Sequence, residues 1–207
     1  MRLTLPTTRS AALAAALFSF LVAGCDDSNA PKRVAAPEAP NASKPSTVPN
    51  AGAQGGEFRF TPPAGWVAEA PAQFRKLQFL LPRADGDTED ATAWVTDFGG
   101  GSREMNIERW IGEFEQPDGK PSSSVAKQST RKVGNLDAIE VDVTGTCMAR
   151  MAPGSDATMR KEHWRQIAVL LEGGSKPWYI KVRGPAATVT RWEESFRAFV
   201  DSAVVAK

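Results

Sequence analysis

Trp178-Tyr179-Ile180-Lys181-Val182-Arg183-Gly184-Pro185 runs into Ala186-Ala187-Thr188-Val189-Thr190-Arg191-Trp192-Glu193-Glu194-Ser195-Phe196-Arg197-Ala198-Phe199-Val200, and the period changes at the junction. Before it, Trp178, Ile180 and Val182 alternate with Tyr179, Lys181 and Arg183, as side chains of a strand do. After it, Val189, Trp192, Phe196, Phe199 and Val200 recur at helical spacing. Gly184-Pro185 is a suitable entry, because proline is tolerated in the first helical turn. The pattern predicts a strand over 176–183 and a helix over about 185–203.

Further upstream, residues 166–171 are apolar on both faces and read as a central strand. Residues 136–146 alternate Ile139, Val141 and Val143 against Glu140, Asp142 and Thr144. Residues 57–61, with Phe58 and Phe60, 74–81, with Leu77, Phe79 and Leu81, and 92–98 are further strands. The polar stretch 125–133 reads as an edge strand. Between these, Ser102 to about Glu115 places Ile107, Trp110, Ile111 and Phe114 on one helical face, with Ser102 as cap and Pro117 beyond the stop. Each helix carries one apolar face and so needs a sheet face beneath it. The expected fold class over 57–207 is α+β: a mainly antiparallel sheet of about seven strands packed with two main helices in a layered sandwich.

The first 24 residues read differently. Arg2 and Arg9 precede an uncharged, mostly apolar run from Ser10 to Val22, about 13 residues, too short to span a hydrocarbon core about 30 Å thick. It fits a signal peptide. Leu21-Val22-Ala23-Gly24-Cys25 resembles the lipobox of bacterial lipoproteins. The resemblance implies cleavage before Cys25, acyl chains on its sulfur and amino group, and a lipid-anchored chain in the cell envelope facing the periplasm. One acyl chain binds reversibly, and two or three hold firmly. Asp26 after the cysteine resembles an inner-membrane retention signal, with the outer membrane as the alternative.

Residues 26–56 hold five prolines and seven alanines and no aromatic residue. Such a stretch buries too little apolar surface to offset its ordering entropy, so 25–56 is expected to be a lipidated cysteine and a disordered tether. The whole chain of 207 residues has a formal net charge of +1. That balance argues against a nucleic-acid partner recognised by overall basicity.

Few residues offer chemistry. A single histidine excludes a multi-histidine metal site, and no metal or cofactor is expected. Cys147 and His163 are the one thiol–imidazole pair open to the domain, an alternative catalytic reading in which Asp142, Asp156 or Glu162 would orient the imidazole. A small buried residue is the commoner role of such a cysteine. Gly99-Gly100-Gly101-Ser102 joins a strand to a helix without a phosphate-loop pattern, and reads as a structural turn. Asp85-Gly86-Asp87-Thr88-Glu89-Asp90 fails the calcium-loop pattern at its sixth and twelfth positions, and reads as a solvated turn. Arg59, Arg75, Lys76, Arg131, Lys132, Arg160, Lys161 and Arg165 are scattered among acids and read as ordinary surface charge.

Phe60-Thr61-Pro62-Pro63-Ala64-Gly65-Trp66, the glycine turn leading into Asn106-Ile107-Glu108-Arg109-Trp110, and the strand–helix ending together resemble uncharacterised bacterial envelope lipoproteins whose domain is similar to the PsbP-like fold. That fold is an antiparallel sheet between helices, known mostly from accessory and partner-binding proteins, including a photosystem II extrinsic subunit and a Ran-binding protein. The resemblance implies a non-enzymatic binding or accessory module for an envelope protein or a small ligand. An envelope acyl- or peptidyl-transferase or hydrolase using Cys147 with His163, and a purely structural envelope protein, are the alternatives.

Overall fold

The computed structural model describes residues 46–47, 52–72, 74–150 and 157–206; Cys25 and the expected signal peptide lie outside them. The strands, in chain order, are β1 (Ser46–Thr47), β2 (Ala53–Gly55), β3 (Phe58–Phe60), β4 (Val67–Ala68), β5 (Leu77–Leu81), β6 (Ala91–Thr96), β7 (Phe114–Glu115), β8 (Lys127–Val133), β9 (Leu136–Cys147), β10 (Lys161–Glu172), β11 (Trp178–Pro185) and β12 (Val204–Val205). Helix α1 is Arg103–Gly112 and α2 is Ala186–Asp201. The main sheet runs β1-β4-β5-β6-β11-β10-β9-β7, with β8 also on β9. Every pairing in it is antiparallel. A small second sheet, β12-β3-β2, takes Phe58 and Phe60.

The architecture is α+β, with one helix on each face of the main sheet. On the α2 face, Ile167, Val169, Ile180, Val182, Ala93 and Val95 meet Val189, Phe196, Phe199 and Val200. Phe199 is the hub: it stacks on Phe60 with centroids 4.9 Å apart and touches Trp66 at 5.0 Å and Phe79 at 5.6 Å. This aromatic cluster ties the small sheet to the large one. On the opposite face, Trp110 and Ile111 of α1 cover Ile139, Val141, Ala168, Leu170 and Tyr179. Strand β10 lies between two long partners with both faces covered, which is why its sequence is apolar on both sides.

Two expectations need correcting. The tether was placed as far as residue 56, yet β1 pairs with β4 and β2 pairs with β3, so the folded domain begins before Glu57. Segments this short show no measurable period, and pairing to neighbouring strands defines them. Helix α1 ends at Gly112 rather than near Glu115, because Phe114 enters the ladder opposite Cys147. Glu140 and Asp142 form the polar side of β9 and are both largely covered. They lie under α2, where Arg197 reaches Glu140 and Arg165 holds Asp142.

The Asp85–Asp90 loop is a turn, as its sequence suggests, with an added structural task. Helix α2 starts after Pro185, which has no side-chain capping bond. Asp87 reaches across and accepts from the backbone N–H of Thr188 at 2.9 Å and from its hydroxyl. An orphan helix donor is thereby satisfied from another part of the chain.

Candidate functional site

The α1 face of β11 carries Tyr179, Lys181 and Arg183, and its ladder partner β6 sets Thr96, Trp94 and Thr92 opposite them. Beyond the C-terminal half of α1 this face is left open as a cleft of about 580 Å³. Its walls are Trp94, Phe98, Arg109, Glu113, Lys181 and Arg183, with the Gly99-Gly100 backbone at one edge and Arg150 and Thr158 at another. Both glycines belong to the strand–helix turn. Its role is structural as expected: the Ser102 hydroxyl accepts from Met105 N–H, and a side-chain carbon at Gly99 would sit 2.4 Å from the Tyr179 ring. The turn also forms the lip of the cleft, which the sequence did not announce.

Lys181 is 9% exposed. Its ammonium lies 4.5 Å from the centroid of Trp110, and among the described residues it has no hydrogen bond or ion pair. Burial pushes its pKa down to about 7; Glu113 opposes that shift, while Arg183, Arg109 and Arg75 reinforce it. The neighbouring cations are arranged around Trp94. Arg75 stands 4.4 Å over the indole and Arg183 5.4 Å from it. Arg183 donates to Glu113 at 3.3 Å, whereas Arg75 donates to the Gln78 amide oxygen and Arg109 to that of Asn106, neither to a carboxylate. The described walls set Arg109, Arg150, Lys181 and Arg183 against one carboxylate, Glu113, with Arg75 over the Trp94 ring as a further cation. On the same sheet face, Gln166 lies opposite Arg183 in the ladder, wholly buried, with neither amide atom partnered among the described residues. Unmet polar groups of this kind are costly in a folded protein and single the face out.

Cys147 and His163 occupy different surroundings. Cys147 is 0% exposed, packed with Phe114, Val143 and Ala149. Burial pushes its thiol pKa up, with nearby Arg183 only partly offsetting that. An activated nucleophile needs the opposite shift. His163 is exposed, at φ 56° in the irregular step of β10 between Lys161 and Trp164. No hydrogen bond joins the two side chains among the described residues. Of the groups considered as orienters, Asp142 holds Arg165 in a two-bond pair at 2.9 and 2.7 Å, and Glu162 accepts from Arg160 at 3.2 Å. Asp156 lies outside the described residues.

His163 lines a second, larger cleft of about 790 Å³ with Asp142, Thr144, Arg165 and Thr190. Size does not make it the better seat. Arg165 is already held by both Asp142 and Glu193, and Arg160 by Glu115 and Glu162. Those partners favour the charged guanidinium of Arg165 and raise its pKa. Arg165 and Arg160 are thus already paired, whereas Lys181 in the smaller cleft has no hydrogen bond or ion pair among the described residues.

Most cations singled out from the sequence are likewise paired: Arg131 with Asp201, Lys132 with Asp137, Lys161 with Glu89, Lys76 with Asp97. Of that group, Arg75 alone belongs to the Trp94 cluster. Lys181 and Arg183 do not stand out in the sequence because an alternating strand reads as having a solvent side, and Arg109 because it lies among the polar positions of helix α1. The signal lay in the two amphipathic helices, since two helices on one sheet leave no solvent side.

Among the described residues no group of three or more His, Cys, Asp or Glu side chains could hold a metal ion, and no helix is long and apolar enough to cross a membrane. Neither a family model nor a curated protein matches the chain. Among solved structures it is similar to the solution structure of cyanobacterial PsbP (CyanoP) from Synechocystis sp. PCC 6803, at 10% identity and a TM-score of 0.41, over 72% of this chain and 87% of that one.

Proposed function

We propose that this chain is a lipid-anchored envelope protein that presents a non-enzymatic binding domain to the periplasm, and that the cleft beneath α1 is its binding seat. The anchor rests on Val22-Ala23-Gly24-Cys25 after a short apolar run, with Asp26 favouring the inner membrane. The seat rests on Lys181, a buried amine at the wall of an open cleft with no ion pair among the described residues. Keeping a charge there without a partner is costly, so the group sheds its proton near neutral pH unless an anion in the cleft holds it charged. Catalysis by Cys147 has little support, because its thiol is buried and disfavours the thiolate.

The six tryptophans make the reading testable by nuclear magnetic resonance of their indole N–H groups. Each resonance is assigned by a Trp→Phe substitution. A small-molecule extract of the native envelope is then added to the unlipidated mature chain. Trp94 and Trp110 should shift, while Trp66 and Trp192, on the other sheet face, stay in place. Shifts confined to Trp66 and Trp192, or none at all, would remove the cleft as the seat.

A further inference from the structure

We infer that the ligand of the Lys181 cleft is a small organic anion, with its acid group held by Lys181, Arg109 and Arg183 and its apolar body lying on Trp94 and Phe98. The inference rests on the binding-module reading and adds the ligand's chemistry to it. Three observations carry it.

The first is charge. Arg75 and Arg109 hydrogen-bond to amide oxygens, and Lys181 has no hydrogen-bond partner among the described residues. Glu113 is shared with Arg183. Like charges gathered around one concavity repel each other unless an anion enters. Guanidinium groups match acid oxygens in pairs, and a buried ammonium adds a point charge.

The second is the mouth. Phe74 and Phe98 are 40% and 56% exposed and stack with centroids 4.1 Å apart at 17°. Phe74 has φ 67°, a left-handed conformation that a bulky residue seldom adopts. One hydroxyl holds both: Thr96 donates to the Phe74 carbonyl and accepts from Phe98 N–H. Strain kept in place by surrounding bonds to display two aromatic rings in water is a feature of binding surfaces. Phe98 is also a wall of the cleft, so the exposed stack continues into the cationic interior.

The third is size. About 580 Å³ lies in the usual range for small-molecule sites and does not suit a folded protein surface. An acid group alone would leave the Trp94 wall and the phenylalanine stack unused. An apolar molecule alone would leave Lys181 unneutralised. A molecule with both parts uses the whole cleft.

The test uses the unlipidated mature chain, Cys25→Ser from residue 25, with decanoate and phenyl phosphate as anionic probes and decanol and benzyl alcohol as neutral ones. The Trp94 indole resonance reports occupancy of the cleft. We expect both anions to shift it, and each neutral probe to bind at least tenfold more weakly than the related anion. Lys181→Met and Arg183→Gln should each weaken anion binding about tenfold or more, and Phe98→Ser should weaken decanoate more than inorganic phosphate. Thermal unfolding of each variant shows that it is folded. Neutral probes binding as tightly as anions, or anions binding without moving Trp94, would overturn the inference. An envelope extract that moves Trp94 when neither anion does would overturn it while leaving the binding seat intact. Stillness under both would end both readings.

Discussion

Asp87 caps helix α2 from outside it: its carboxylate accepts from Thr188 N–H at 2.9 Å and from the Thr188 hydroxyl. Thr188 is wholly buried, and its hydroxyl oxygen also accepts from Ala84 N–H at 3.0 Å. The loop between β5 and β6 and the start of α2 are therefore one hydrogen-bonded unit. Losing a side-chain cap typically costs about 0.5–2 kcal/mol. Asp87→Ala is expected to destabilise by that amount in a denaturant titration, whereas Asp85→Ala, exposed in the same loop, should change almost nothing.

Helix α2 supplies the core of one sheet face through Phe196 and Phe199, both 0% exposed. Truncating such a phenylalanine to alanine costs about 3–5 kcal/mol, a large share of the 5–15 kcal/mol that hold a domain of this kind together. Phe196→Ala should shift the unfolding midpoint strongly, and Glu194→Ala, exposed on the far side, should be nearly silent. Equal losses from the two would place the apolar stripe wrongly.

The strand–helix ending shows what was legible in the sequence. The period switch at Gly184-Pro185 marks β11 and α2 to within a few residues, and Phe196 and Phe199 fall where their spacing places them. Short elements were not legible. The two-residue strands β1, β4 and β12 are set by pairing with distant partners, and so short a stretch has no measurable period. The candidate site was hidden for a related reason. Lys181 and Arg183 occupy every second position of an alternating strand, and their burial follows from where α1 lies, which is a tertiary fact. Phe74 was read as part of a strand, but its backbone turns left-handed before β5 begins at Leu77.

Cys25 gives a prediction independent of the domain. If its sulfur carries the anchor, Cys25→Ser should move the chain from the membrane fraction to the soluble or unprocessed fraction of cells. Two or three acyl chains anchor stably through buried methylenes rather than through charge, so the wild-type chain should resist extraction by high salt. Salt-extractable wild-type protein, or a Cys25→Ser variant that stays as firmly bound, would assign the anchor elsewhere.

Lys181 gives the last prediction, through pH. Its pKa is pushed down from the ordinary 10.5 to about 7 in the folded chain. The groups that act on it are Glu113, which favours its charge, and Arg183, Arg109 and Arg75, which oppose it. Between those two pKa values the unfolded chain binds the proton and the folded chain does not. Stability therefore rises with pH across that interval, and the penalty for the buried ammonium is present in full below it. At the alkaline end Cys147 acts in the opposite direction: its thiol is raised by burial, so the folded chain keeps a proton that the unfolded chain releases. The clean window for Lys181 is thus about pH 7 to 8, below the ordinary thiol value of about 8.5. Lys181→Met, which keeps most of the length of the side chain and removes the charge, should stabilise the ligand-free domain most at pH 6, by a few kcal/mol. The advantage should shrink steadily toward pH 8. Denaturant midpoints of both chains at pH 6, 7 and 8 measure it. A constant difference over that range would mean that Lys181 is charged throughout, with its ammonium solvated through the mouth of the cleft.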